Sequence, residues 1–353
     1  MLTKLQCSNF TTFDDLSIDF SPKINVLVGK NGTGKTHLIK AAYVLCCGGK
    51  YRENSKVAWN ENPEDIIAND LVRTFLPLDD SIRKLAKKHI GHARLSAQFT
   101  KDETVQIRFS SRARTIKIEK DNYHVANEKR PVFIPTKEVL SFMKGFSSLY
   151  EKYGLSFDKT YQDICLLLDL PEVRKDALHP KSAWAMDEIE KICGGKFVFY
   201  GAGKVTFKTN NEEYSVNVMA EGFRKAGLLS RLLETGAIRP GISGPLFWDE
   251  PEANLNPKLM QPLVEILLEL SRNGQQIILA THNYFLLKWL DLLTNKGKED
   301  HVRYHALSCD PVTKEIRVDS VDNYLQISSN AISEAFGDLT DFEISRSMGG
   351  LGR

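Results

Sequence analysis

No run in this 353-residue sequence is both apolar enough and long enough to cross a bilayer. The longest apolar stretches are "VFIP", "EILLEL" and "QQIILA". The N-terminal "MLTKLQCSNF" lacks the charged region, apolar core and cleavage site of a signal peptide. A cytoplasmic location without membrane partners is the expectation. Charge of one sign is also missing: 47 Lys and Arg against 45 Asp and Glu leave a net charge of +2. No global field therefore steers the chain to nucleic acid or an acidic surface, and only local clusters could. The six cysteines show no C-x-x-C spacing, which excludes the common zinc and redox patterns. Cys46 and Cys47 are adjacent on an expected helix, so they point apart and are read as reduced, buried thiols. Repeats, low-complexity linkers and long heptad runs are absent, and with the last of these goes any long coiled coil.

What is present suits a globular chain: 42% hydrophobic and 26% charged residues. The length predicts one large domain with an insertion. Apolar alternation in "LSIDF" and the continuous run "INVLVG" predict strands before a glycine-rich loop, with a helix from about Lys35 to Cys47. Residues 50–92 read as a polar, basic helical insertion. Strands return over 93–137 ("ARLSAQFT", "TVQIRFSS", "RTIKIEK", "PVFIP"), and 138–194 reads as a helical arm. In 195–353, "KFVFY", "KVTFK" and "YSVNVM" are strands, followed by helix, strand "GPLFWDE", helix and strand "QQIILATH". With 1–49, this is an α/β architecture: a largely parallel sheet with an antiparallel flank and helical insertions. Both helical segments are expected to project from the core.

Gly29-Lys30-Asn31-Gly32-Thr33-Gly34-Lys35-Thr36 matches G-x-x-x-x-G-K-[ST] and sits between a strand and a helix. Glycines let backbone N–H groups approach phosphates, and the helix N-terminus adds favourable partial charge. Lys35 is expected to reach the β- and γ-phosphates of ATP, and the Thr36 hydroxyl to bind Mg²⁺. In "GPLFWDEPEANLNP" an apolar strand delivers Asp249 and Glu250 at its C-terminal tip, where open α/β sheets bind ligands. Asp249 is expected to hold Mg²⁺ through water, and Glu250 to polarise the attacking water. A further strand ends in Thr281-His282, which puts His282 in reach of a γ-phosphate or leaves it a structural histidine.

The order of these motifs and the wording D-E-P-E-A-N-L-N-P resemble the ATPase heads of the ABC superfamily, and within it the branch of SMC, RecF-type and overcoming-lysogenisation-defect (OLD) heads. The resemblance covers 1–50, about 93–138 and 195–310. It implies a P-loop NTPase fold, ATP and Mg²⁺ as cofactors, and a head-to-tail homodimer or higher oligomer. It also implies that Asn254 to Pro257 crosses the dimer interface, and that His282 is the switch histidine.

The signature motif departs from the family. "VMAEGFRKAGLLSRLL" places Ala220 where the serine donor is expected and Glu221 where a carboxylate would repel a triphosphate. Gly222 and Arg224, with Lys225 beside it, are the residues left to contact a partner's nucleotide, while Glu221 is expected to turn away and cap its own helix. A slow, regulated ATPase follows. No glutamine marks the loop after "VFIP". Thr136, Lys137 and Glu138 stand there, either in its role or as a plain strand-to-helix corner.

The basic runs 81–94 and 110–120 are candidate DNA or RNA contacts or solvated faces. At family level the preferred role is control of a separate nuclease or toxin effector in prokaryotic antiviral defence, by analogy to OLD proteins. A RecF/SMC-like DNA repair or maintenance ATPase is the alternative, and a transporter ATPase subunit the second.

Overall fold

The computed structural model describes residues 1–48, 62–87, 91–123, 129–327 and 331–347. In β1 (Leu2–Phe10) and β2 (Phe13–Asp19) apolar residues alternate with polar ones, so each strand buries one face. β3 (Ile24–Gly29) is buried throughout. Its Ile24, Val26 and Val28 enter one core and its Leu27 another, as a strand covered on both sides requires.

β1 and β2 belong to an antiparallel five-stranded sheet, ordered β2-β1-β4-β5-β6, with β4 (His92–Phe99), β5 (Thr104–Ser110) and β6 (Lys117–Asp121). The central sheet has six strands, ordered β14-β13-β3-β12-β11-β7. It is built with β7 (Val132–Ile134), β11 (Leu246–Asp249), β12 (Ile277–Ala280), β13 (Val302–Cys309) and β14 (Ile316–Val321). All its pairs are parallel except β13 with β14. β8 (Lys196–Phe199), β9 (Val205–Lys208) and β10 (Glu213–Ser215) form a small antiparallel sheet. The expected strand "YSVNVM" is shorter than its sequence suggests: a 3₁₀ turn takes over at Val216.

α1 (Lys35–Cys47) packs between the two large sheets and shares its core with Leu5, Leu95 and Phe247. The other face of the central sheet is covered by α6 (Glu221–Glu234), α7 (Met260–Arg272) and α8 (Tyr284–Leu293). The helices numbered between α1 and α6 are α2 (Pro63–Phe75), α3 (Phe146–Tyr153), α4 (Lys159–Leu168) and α5 (Pro180–Cys193). A last helix, α9, spans Ala331–Ser347.

The described parts of the two helical segments do not project. Ile67, Ala68 and Leu71 of α2, with Ile82 and Leu85 after it, join the α1 core. Phe146, Tyr150, Ile164, Leu168, Ala185 and Ile189 join the core on the other face. Each helix buries its apolar residues against a neighbour: α2 against α1, α3 against α4, α4 against β7, and α5 against α6 and α7. Polar ties add to this: Lys40 of α1 meets Asp158 at 2.8 Å, and the Tyr43 hydroxyl donates to Asp163 at 2.8 Å. The helical reading of 50–61 lies outside the described residues. All six cysteines are free thiols, buried except Cys309.

Candidate nucleotide site

β3 ends at Gly29 and α1 begins at Lys35, so Lys30 to Gly34 form the connecting loop. Lys30, Asn31 and Gly32 are exposed, while Thr33 is buried and its hydroxyl donates to the Lys30 carbonyl at 2.9 Å. Gly34 takes φ 87° as the N-cap of α1, and a Cβ there would lie 2.7 Å from Thr12 Oγ and 2.8 Å from the Phe13 ring. Only glycine fits that turn. No side chain caps α1, so its first N–H groups face the loop concavity without a side-chain acceptor. That is the arrangement a phosphate fills.

Lys35 is buried, and its ammonium donates to the carbonyls of Gly29 (2.7 Å) and Lys30 (3.2 Å). Burial pulls its pKa down, and the carboxylates of Glu250, Asp249 and Glu252 push it back. The Thr36 hydroxyl lies 3.1 and 3.0 Å from the two Asp249 oxygens, and the Thr136 hydroxyl 3.0 Å from Oδ2. Burial raises the Asp249 pKa against the pull of these two hydroxyls. One buried carboxylate with a hydroxyl beside it, next to a phosphate cradle, suits Mg²⁺, a hard cation that keeps waters and takes few protein ligands. Thr136, which sequence could not separate from a corner residue, reaches Asp249. Lys137 is exposed and Glu138 is buried.

β11 and β12 run parallel, Asp249 pairing with Ala280, so the tips of both strands emerge together. Glu250 follows with φ 49°, and its Oε1 lies 3.1 Å from Nδ1 of the half-exposed His282. The carboxylate and the histidine expected at the γ-phosphate are therefore in contact. Glu252, which the sequence reading passed over, is buried beside them. Its Oε1 accepts from the Thr281 hydroxyl at 2.6 Å and from the His282 N–H at 3.3 Å, and burial raises its pKa. Its position two residues after Glu250 in a buried turn was the available signal.

α6 differs from expectation. Its N-cap is Ala220, with no side-chain cap, so Glu221 occupies the first turn without closing the helix start. Arg224 turns inward: its Nε lies 2.8 Å from Oε1 of buried Glu138, and its guanidinium also meets the Met219 carbonyl. In the single chain that charge is paired within its own fold. Lys225 is also buried, and its Nζ donates to the Glu250 carbonyl at 3.1 Å. The spacing of Gly222, Lys225, Leu229 and Leu232 along one helical face signals this burial. Gly222 packs against its own chain, since a Cβ there would lie 2.9 Å from the Asn254 carbonyl. Asn254 itself is exposed with φ 62°.

An AAA domain model matches residues 4–162. The DNA replication and repair protein RecF of Lysinibacillus sphaericus is 32% identical over 103 residues, covering 27% of this chain and 28% of RecF. RecF of Clostridioides difficile is 43% identical over 53 residues, 15% of this chain and 14% of that one. The matched stretch thus spans little more than a quarter of the first relative's length and about a seventh of the second's. Among solved structures, an SMC head bound to the C-winged helix domain of ScpA superposes with TM-score 0.55 at 13% identity, over 91% of this chain and 97% of that one. An SMC head with an extended coiled coil, bound to the C-terminal domain of ScpA derived from Pyrococcus furiosus, gives TM-score 0.54 at 12% identity, over 97% and 99%. These likenesses establish the fold. The glycine loop, the Asp249-Glu250 strand tip and His282 are in place on this fold, which is similar to that of P-loop ATPase heads of the SMC type.

Proposed function

We propose that the chain binds and hydrolyses ATP as an SMC/RecF-like head, closing as a head-to-tail homodimer and acting on DNA. The observation that carries the reading is the convergence of Thr36 and Thr136 on Asp249, one residue before Glu250 in contact with His282. Lys35 and the α1 N–H groups hold the phosphates. Mg²⁺, bound at Thr36 and Asp249, would neutralise phosphate charge. Glu250 accepts a proton from the attacking water, and His282 holds the Glu250 carboxylate oriented. Ala220, exposed at the start of α6, and exposed Asn254 are the surface offered to a second subunit.

The RecF relatives named above favour a DNA repair or maintenance role over the control of a nuclease or toxin in antiviral defence. Local basicity adds to this. Arg94 and Arg108 are register partners on the outer face of the five-stranded sheet, with exposed Arg112 and Arg114 in the turn after β5. Glu119 pairs with both Arg94 and Arg108. The test is ATP turnover and duplex-DNA binding by the purified chain. Lys35→Ala should abolish nucleotide binding. Reversing Arg94, Arg108 and Arg112 to Glu should weaken DNA binding and flatten its salt dependence. Wild-type nucleotide affinity in Lys35→Ala would refute the site, and unchanged DNA affinity in the triple variant would refute the surface.

A further inference from the structure

We propose that Lys225 is a positioning residue that sets Glu250 for hydrolysis by holding its main-chain carbonyl; the inference rests on the hydrolytic reading above. Glu250 sits at φ 49°, a backbone region that side-chain-bearing residues keep only where neighbours hold them. Four contacts do so. Its N–H donates to the Ala280 carbonyl at 2.9 Å, its carboxylate meets His282 at 3.1 Å, and its carbonyl accepts from Ala253 N–H at 3.0 Å and from Lys225 Nζ at 3.1 Å. The Lys225 contact reaches Glu250 from a different layer of the fold, the helix α6.

Lys225 is 1% exposed. Burying an ammonium is costly, and a methionine would fill the same space in the apolar face without that cost. The charge is therefore explained by what surrounds it: Glu252, Glu221, Glu250 and Asp249 all act on it electrostatically. Lys225 is the counter-ion of this acidic turn and the clasp on its backbone. It lies one helical turn from Gly222, which packs on Asn254 and Leu255.

Lys225→Met removes the donor and the charge while keeping the volume. Lys225→Arg keeps the charge and a donor at that position. The measurement is steady-state ATP hydrolysis with nucleotide affinity and melting temperature, on both variants and on Glu250→Gln. The expected result for Lys225→Met is a fall in kcat of about tenfold or more with nucleotide Kd within about threefold, and recovery in Lys225→Arg. A kcat within about threefold of wild type overturns the inference, as does a parallel loss of kcat, affinity and melting temperature that Arg does not rescue. Should Lys225→Met not fold, Lys225→Gln, whose shorter amide stops short of the carbonyl, takes its place with the same two results. Glu250→Gln separates the levels: full hydrolysis in that variant refutes the catalytic reading itself, whereas its loss alongside normal turnover in Lys225→Met refutes only the role of Lys225.

Discussion

Thr136 donates its hydroxyl to Oδ2 of Asp249 at 3.0 Å, from the loop after β7, the strand on the far side of β11 from the glycine loop. Thr36 reaches the same carboxylate from α1. Asp249 is thus oriented from both flanks, and the residue standing where a glutamine is expected acts on the candidate metal ligand directly. Thr136→Val keeps the shape and removes the donor. We expect Mg²⁺-dependent hydrolysis to fall by about tenfold while nucleotide binding without Mg²⁺ changes by less than about threefold. Equal losses with and without Mg²⁺ would contradict this.

Arg224 and Glu138 form a pair with side chains only 14% and 5% exposed. Arg224→Ala leaves Glu138 buried without its counter-charge and should cost about 3–5 kcal/mol of stability. Adding Glu138→Gln should recover much of it, because contacting residues couple in a double-mutant cycle. Chemical denaturation of the four proteins decides. Loss of hydrolysis with unchanged stability in Arg224→Ala would instead restore the contact across the dimer that the resemblance implied.

The chemistry of the loop and the Asp249-Glu250 tip was legible because it lies in contiguous residues between a strand and a helix, where backbone geometry follows from local pattern. The parallel sheet was legible from runs such as "INVLVG" that are apolar on both faces. The direction in which Arg224 and Lys225 point was not. Arg224 is answered by Glu138, far away in the chain, and Lys225 by a main-chain carbonyl, which has no sequence signature. The sequence reading also passed over β13, whose "VRYHALSC" mixes His305 and Arg303 into a buried strand. The helical segments were misjudged as projecting because a short stripe such as Ile67, Ala68 and Leu71 becomes a core face only once α1 lies beside it.

His305 explains that polar strand and carries a pH dependence. It is fully buried, with Nδ1 2.8 Å from Ser320 Oγ and Nε2 3.3 Å from Asn25 Oδ1. Asn25 Oδ1 also accepts from Ser21 N–H at 2.7 Å, so the neutral ring donates from Nε2 and accepts at Nδ1. Burial lowers its pKa to about 3. The folded pKa lies below the unfolded one, so the unfolded chain binds the extra proton. Stability is full above the ordinary histidine range and is lost as pH falls toward 3. Between pH 6 and 4 this adds about 1.4 kcal/mol per pH unit to the acid slope. Urea melts across that range should show a shallower slope for His305→Gln, and an identical slope in both proteins would contradict the assignment.

Glu250→Gln tests the account most directly, because the glutamine keeps the size of the side chain and its contact with His282 while losing the base. ATP binding and single-turnover hydrolysis are measured on the same preparation, with the oligomeric state followed by light scattering. The account predicts nucleotide affinity within about threefold of wild type, hydrolysis lowered by about two orders of magnitude or more, and accumulation of an ATP-bound dimer. Hydrolysis at the wild-type rate would contradict it, since Glu250 would then not be the residue that activates water.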